Sequence, residues 1–219
     1  MSFILAKKLK MTQLPDKESG FIPVTVIEAG PVIVTQIKIK DKDGYNAVQV
    51  GFDESKHIKK PRLGLLKKVF SKENEAEESS DQNQEKEVKK LKYFKEFETT
   101  DLSQFKVGDI LDVSQFKIGD LVKVEGVSKS KGFQGVVKRH HFGGASKTHG
   151  TKHAHREPGS IGAQGPQRVI KGTRMAGRTG GDKITIKNLE VIDVDPEHNL
   201  LFVRGAVPGK PGDLLKITK

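Results

Sequence analysis

The stretch from Gly126 to Gly181 constrains this chain more than any other feature. It carries eleven Lys and Arg residues against one acid, Glu157, and so holds +10 of the formal net charge of +11. It also contains 13 of the 23 glycines and five of the seven histidines. Between Arg139 and Arg168 the only large apolar side chains are Phe142 and Ile161. Such a stretch buries too little surface to offset its conformational entropy, and alone it is expected to be loosely extended or disordered. The rest of the 219 residues carry 28 cations and 27 acids, the balance of an ordinary domain. The expected organisation is therefore a globular domain, 1–125 with 182–219, interrupted by a basic loop over 126–181.

The flanks read as strands. Pro23–Ile27 and Val32–Ile39 are rich in β-branched residues and are split by Gly30-Pro31. Asp41–Gly44 signals a turn leading into Tyr45–Val50. Beyond the basic segment come Ile184–Ile186, Leu189–Val194, a turn at Asp195–Asn199, then Leu200–Val203, with Leu214–Ile217 closing the chain. Many short strands with Gly/Pro turns predict a mainly β protein, a barrel or a sandwich. Two features interrupt this pattern. Residues 71–90 hold seven acids and four lysines, with Ala76 and Val88 as the only apolar residues. They read as a solvated insertion with a short charged helix running into Lys89–Phe97. An 11-residue repeat follows, Ser103–Val113 and Ser114–Val124, with Gly-Asp before apolar residues, and predicts two turn-plus-strand units.

Several function classes drop out. There is no Cys, so disulfides, thiolate zinc sites and cysteine nucleophiles are excluded. The N-terminal apolar run, Phe3 to Ala6, spans four residues, whereas a secretory signal needs roughly 7–15 and a membrane span about 20. No membrane association is expected. The excess of cations predicts a polyanionic partner.

In Ser128–Arg139 glycines alternate with cations around one aromatic. Glycine lets a backbone approach a phosphate, Lys129, Lys131, Lys138 and Arg139 neutralise it, and Phe133 can stack on a base or a sugar. The competing reading is a surface loop with Phe133 tucked onto the domain. His140, His141, His149, His153 and His155 include a His-x3-His spacing that on a helix could ligate zinc. The Gly/Lys context is not helical and is crowded with cations, so contacts to phosphate or bases are the preferred reading and no metal is expected. Gly205–Lys210 has the wrong spacing for a phosphate loop and lacks a Ser or Thr after the Lys. Catalysis needs paired carboxylates or a nucleophile with its base, and Glu157 is the lone acid of the basic segment. The chain is not expected to be an enzyme, to hold a cofactor or to bind a small-molecule substrate.

The run Gly126–Arg139 resembles the signature of large-subunit ribosomal protein three, the universal L-three family. The likeness continues through His155–Gly162, Lys171–Gly177 and Asn199–Gly209, and Lys7-Lys8 with Met11-Thr12 and Ile22–Glu28 resemble its bacterial branch. The resemblance implies a closed β-barrel of the translation-protein type with a long loop that penetrates large-subunit rRNA. It implies a cytoplasmic, ribosomal protein that binds near the 3′ domain of that rRNA, helps to start subunit assembly, neighbours other large-subunit proteins, and extends the loop toward the peptidyl-transferase centre. The tip falls around Gly159–Pro166. Some bacterial members carry a methylated glutamine there, and Gln164 is the nearest candidate. The expected rRNA contacts are the cations, histidines and Phe133 named above together with Lys147, Lys152, Arg156, Gln164, Arg168, Lys171, Arg174 and Arg178. The alternatives are a free nucleic-acid-binding or chaperone protein outside the ribosome and a metal-dependent hydrolase.

Overall fold

Runs of β-branched and aromatic residues at both ends of the chain close on one another in the computed structural model, which describes residues 2–16, 20–74, 90–162 and 164–219. The chain divides into two compact units, Met1–Val127 with Ile184–Lys219, and Ser128–Lys183. The described strands are β1 (Phe3–Asp16), β2 (Gly20–Ala29), β3 (Val32–Lys38), β4 (Ala47–Glu54), β5 (Leu91–Glu98), β6 (Ile110–Leu111), β7 (Leu121–Val127), β8 (Phe133–Gln134), β9 (Gly177–Arg178), β10 (Lys183–Asp195), β11 (Leu200–Arg204) and β12 (Leu214–Thr218). In the larger unit six strands form a closed barrel in the order β1-β12-β7-β10-β11-β2, and four form a second sheet, β5-β4-β3-β6. The mainly β, closed-barrel expectation holds.

The N-terminal apolar run is a core strand. Phe3, Ile4, Leu5 and Ala6 are all at most 1% exposed. Successive strand side chains point to opposite faces, so four consecutive buried residues mean that both faces of β1 are covered. Phe3 stacks on Phe97 of the second sheet, with ring centroids 4.3 Å apart. One apolar cluster accordingly joins barrel residues such as Ile27, Leu201 and Ile217 to second-sheet residues such as Val48 and Val50.

Other expectations shift in detail. Asp41–Gly44 is a one-turn helix, α1 (Lys40–Asp43), with Gly44 left-handed at φ 85°. Its strand begins at Ala47 rather than Tyr45, because Asn46 Oδ1 accepts the Lys40 N–H at 2.8 Å. The two short strands after the basic segment are one, β10, which runs through Asn188 at φ 58°. Asparagine tolerates that left-handed conformation. A helix, α2 (Lys60–Asn74), runs into the start of the acidic stretch and buries Leu66 and Val69, and Leu66 packs on Ile33 and Leu91. The predicted charged helix running into Lys89–Phe97 is corrected in part: Leu91–Glu98 is strand β5, since its apolar residues find the edge of β4. The remainder of that insertion, 75–89, lies outside the described residues. Among the described residues no helix is long and apolar enough to cross a membrane.

The 11-residue repeat does form two turn-plus-strand units, and there is a third. Lys106-Val-Gly-Asp109, Lys117-Ile-Gly-Asp120 and Lys210-Pro-Gly-Asp213 lead into β6, β7 and β12. In each, the Asp N–H donates to the Lys carbonyl at 3.2, 3.1 and 3.1 Å. The Asp Oδ2 accepts the Lys N–H at 2.6, 3.0 and 2.9 Å. The Gly N–H and the Asp carbonyl then grip both backbone groups of one residue on the adjoining strand. That residue is Val34 (2.9 and 2.9 Å), Val191 (2.8 and 2.9 Å) or Lys8 (2.7 and 3.0 Å). Each gripped residue immediately precedes a register shift, between Val34 and Gln36, Val191 and Asp193, and Lys8 and Lys10. A β-bulge adds twist and bends its strand. One bulged three-strand unit is thus built three times, as β4-β3-β6, β11-β10-β7 and β2-β1-β12.

Candidate nucleic-acid interface

The smaller unit, Ser128–Lys183, is held as a double-stranded base from which the glycine-rich remainder loops. Ser128 and Lys131 donate backbone N–H groups to Asp182 (2.8 Å) and Thr179 (2.9 Å), and Thr179 donates to Gly132 (3.0 Å). β8 and β9 follow, with Phe133 opposite Arg178 and Gln134 opposite Gly177. A single-turn helix, α3 (Val136–His140), comes next, and His141 ends it at φ 62°. This helix departs from the non-helical expectation: Gly135 breaks the extended run, and Val136-Val137 start the turn with Val136 buried. From its last turn Arg139 Nη1 donates to the Met175 carbonyl at 2.7 Å, and His140 Nε2 lies 3.1 Å from the same oxygen. A second tie joins Ala145 N–H to the His155 carbonyl (3.2 Å), with His155 Nδ1 3.1 Å from the Ser146 carbonyl.

These ties sort the candidate contacts. Lys129, Lys131, Phe133, Lys138, His141, Lys147, His149, Lys152, His153, Arg156, Gln164, Arg168, Lys171, Arg174 and Arg178 are exposed. The other three, Arg139, His140 and His155, are half-buried and occupied with backbone carbonyls of their own unit. Arg178 is exposed, yet it also donates, from Nη2 to the Gly181 carbonyl at 3.1 Å. Phe133 is 76% exposed, so its ring is open to a stacking partner. The histidines do not gather: among the described residues no group of three or more His, Asp or Glu side chains is arranged to hold a metal ion.

Charge completes the picture. The unit's only acids are Glu157 and Asp182, so its exposed lysines and arginines far outnumber the carboxylates available to them. Such a surface is suited to neutralising phosphates. Sequence reading passed over Met175, whose carbonyl receives Arg139 and His140, because a methionine carries no signal for the use of its main chain. It also passed over the third Lys-x-Gly-Asp turn, although the tetrapeptide is plain to see once the first two are aligned.

Known proteins are similar to this chain over nearly its whole length. The family described as ribosomal protein L3 matches residues 95–199. Large ribosomal subunit protein uL3 of Chloroherpeton thalassium is 49% identical over 230 residues, covering 99% of this chain and 98% of that protein. Protein uL3c of Pyropia yezoensis is 46% identical, covering 99% and 98%. Protein uL3 of Herpetosiphon aurantiacus is 44% identical, covering 99% and 95%. Identity of this order across nearly every residue, on a mainly β fold with a basic, acid-poor second unit, places the chain in the ribosomal protein L3 family, a structural, non-enzymatic constituent of the large ribosomal subunit.

Proposed function

We propose that the protein anchors itself on large-subunit rRNA near its 3′ domain, supports an early step of subunit assembly beside neighbouring ribosomal proteins, and extends its basic segment toward the peptidyl-transferase centre. The division of labour follows the chain. Residues 1–125 with 182–219 supply a folded anchor, and 126–181 supply counter-charge where RNA helices pack closely. The observation that carries the reading is the exposure of fifteen of the eighteen candidate contacts on a unit with two acids. Fixed cations release condensed counterions from the phosphates they meet, and glycines let the backbone pass between helices. Gln164, exposed near the expected tip, is the position to inspect for methylation by peptide mass spectrometry.

The test is sedimentation of the tagged protein through sucrose gradients after low- and high-salt washes. Loose phosphate binding falls by orders of magnitude between about 50 and 200 mM salt. A threaded segment keeps the protein in the large-subunit peak through the high-salt wash. Release into free-protein fractions would return the chain to the class of peripheral nucleic-acid binders.

A further inference from the structure

The near-neutral balance of the larger unit conceals a second concentration of cations. From Lys56 to Lys68 there are six Lys and Arg and no Asp or Glu, and the acids that offset them in the overall count stand later, at 73–87. The loop ahead of α2 is fixed: Ser55 donates its N–H to the Lys90 carbonyl at 2.7 Å and its hydroxyl to the His57 carbonyl at 2.9 Å. Between this loop, the start of α2 and the start of β5 lies a cleft of about 440 Å³. His57, Lys59, Arg62 and Lys92 form its rim, with Ile58 and Leu91 beneath them. The floor is firm, because Leu91 is 4% exposed and belongs to the cluster of Leu66 and Ile33, on which Ile58 also packs.

Two rim cations are held in place by aromatic faces. The Arg62 guanidinium lies 5.4 Å from the Phe94 ring centroid and the Lys92 ammonium 4.8 Å from that of Tyr93. Asp53 sits 3.4 Å from Lys92 but also pairs with Lys7 at 3.1 Å. A guanidinium stacked on an aromatic ring keeps its donor edge available for a phosphate. An apolar floor below a cationic rim suits a polyanion that alternates charge with flat apolar surface, and a ribonucleotide chain has that character, with phosphates for the rim and an unpaired base or ribose for the floor.

We propose that this cleft is a second RNA-binding site, on the unit that does not carry the basic segment, and that it takes a single-stranded stretch of phosphodiester backbone. The proposal rests on the reading that the protein binds large-subunit rRNA, and it adds residues that this reading does not use. The full-length protein is titrated with the transcribed 3′ domain of large-subunit rRNA at several salt concentrations. Three forms are compared: wild type, Lys59→Gln/Arg62→Gln/Lys92→Gln, and Lys147→Gln/Lys152→Gln/Lys171→Gln. Removing three phosphate contacts lowers the slope of log affinity against log salt by about 2, at roughly 0.7 per single-stranded phosphate. The cleft variant is expected to show that loss at an unchanged melting temperature. In wild type, Lys59 and Lys92 are expected to be protected from amine acylation when RNA is bound, a readout that needs no variant. An unchanged slope with Lys59 and Lys92 still reactive, while the basic-segment variant weakens, overturns the cleft and leaves the basic segment's role intact. Wild type that fails to bind the RNA overturns both. Equal protection by polyglutamate makes the partner an acidic protein and overturns the RNA assignment.

Discussion

The Lys8 ammonium donates to the Val207 carbonyl at 2.8 Å, joining residues 199 apart in sequence inside the barrel unit. It also donates to the Gly209 carbonyl at 3.0 Å, and Lys8 is only 7% exposed. The Gly205–Lys210 turn, which lacks the spacing of a phosphate loop, thus presents carbonyls to a buried cation. Lys8→Met removes the donor and leaves two inward-facing carbonyls without it, at a cost of about 1–3 kcal/mol. Lys7→Met, which loses a partly exposed pair with Asp53 at 3.1 Å, costs about 0–1 kcal/mol. Urea denaturation of the two variants measures the difference, and equal midpoints would remove the distinction.

The three Lys-x-Gly-Asp turns predict interchangeable chemistry. Gly119 and Gly212 have φ of 85° and 87°, and a side-chain carbon added at either would meet nothing within 4 Å. Gly119→Ala and Gly212→Ala therefore meet backbone strain and no collision, and each is expected to cost about 1–2 kcal/mol while the fold is kept. The second position of such a turn favours proline, and Pro211 occupies it in the third copy, where Ile118, 68% exposed, stands in the second. Ile118→Pro is expected to be neutral or to stabilise by about 0.4–1 kcal/mol through the unfolded chain. Thermal melts check all three, and a large loss for Ile118→Pro would show that the copies differ in geometry.

How much of this was legible depended on whether a segment's partner lay nearby in sequence. Leu200–Val203 and Val32–Ile39 announced themselves because β-branched runs next to Gly, Pro and Asn turns need only local reading. Phe3–Ala6 did not, since its burial depends on β12 and on Phe97, which are remote in sequence. Helix α2 was hidden by Pro61 and Gly64 and by cations interspersed among its apolar residues. The basic segment's chemistry was visible as composition, but its internal ties were not: nothing in the sequence says that Arg139 and His140 would turn to Met175 while Lys138 stays free for solvent. The cation run over 56–68 was lost in a sum that included the acids after it.

Glu96 is one source of acid sensitivity. Its carboxylate accepts from Lys38 Nζ at 2.8 Å, from the Tyr45 hydroxyl at 2.7 Å and from Gln49 Nε2 at 3.2 Å. The Lys38 bond foremost, then the Tyr45 bond, hold its pKa below the ordinary 4.5. A depressed carboxylate favours the folded state when ionised. Its contribution is complete above the unfolded value and is lost as pH falls through the folded one. The unfolding midpoint of Glu96→Gln is therefore expected to trail that of wild type near neutral pH, with the gap closing as pH drops below about 4.5. A gap of constant width from neutral to acid would show that the pair adds nothing through ionisation.

Gly180 offers a way to separate the geometry of the basic unit from its charge. It sits at φ 72°, and a side-chain carbon there would collide with the Lys129 carbonyl oxygen and crowd the Ser130 backbone. Gly172 is equally left-handed, at φ 87°, but faces open space. Both Ala variants bear the conformational strain, and only Gly180→Ala must also push apart the strands whose rungs are Lys131 to Thr179 and Thr179 to Gly132. Backbone cannot yield as a flexible side chain can, so Gly180→Ala is expected to raise amide exchange at Lys131 and Thr179 and to weaken large-subunit association, although every cation is retained. Gly172→Ala is expected to leave the exchange of those two amides near wild type. Because neither substitution alters charge, the salt dependence of RNA binding should keep its slope in both while the affinity of Gly180→Ala falls. Indistinguishable exchange and affinity in the two variants would mean that the base of the segment has no part in presenting its cations.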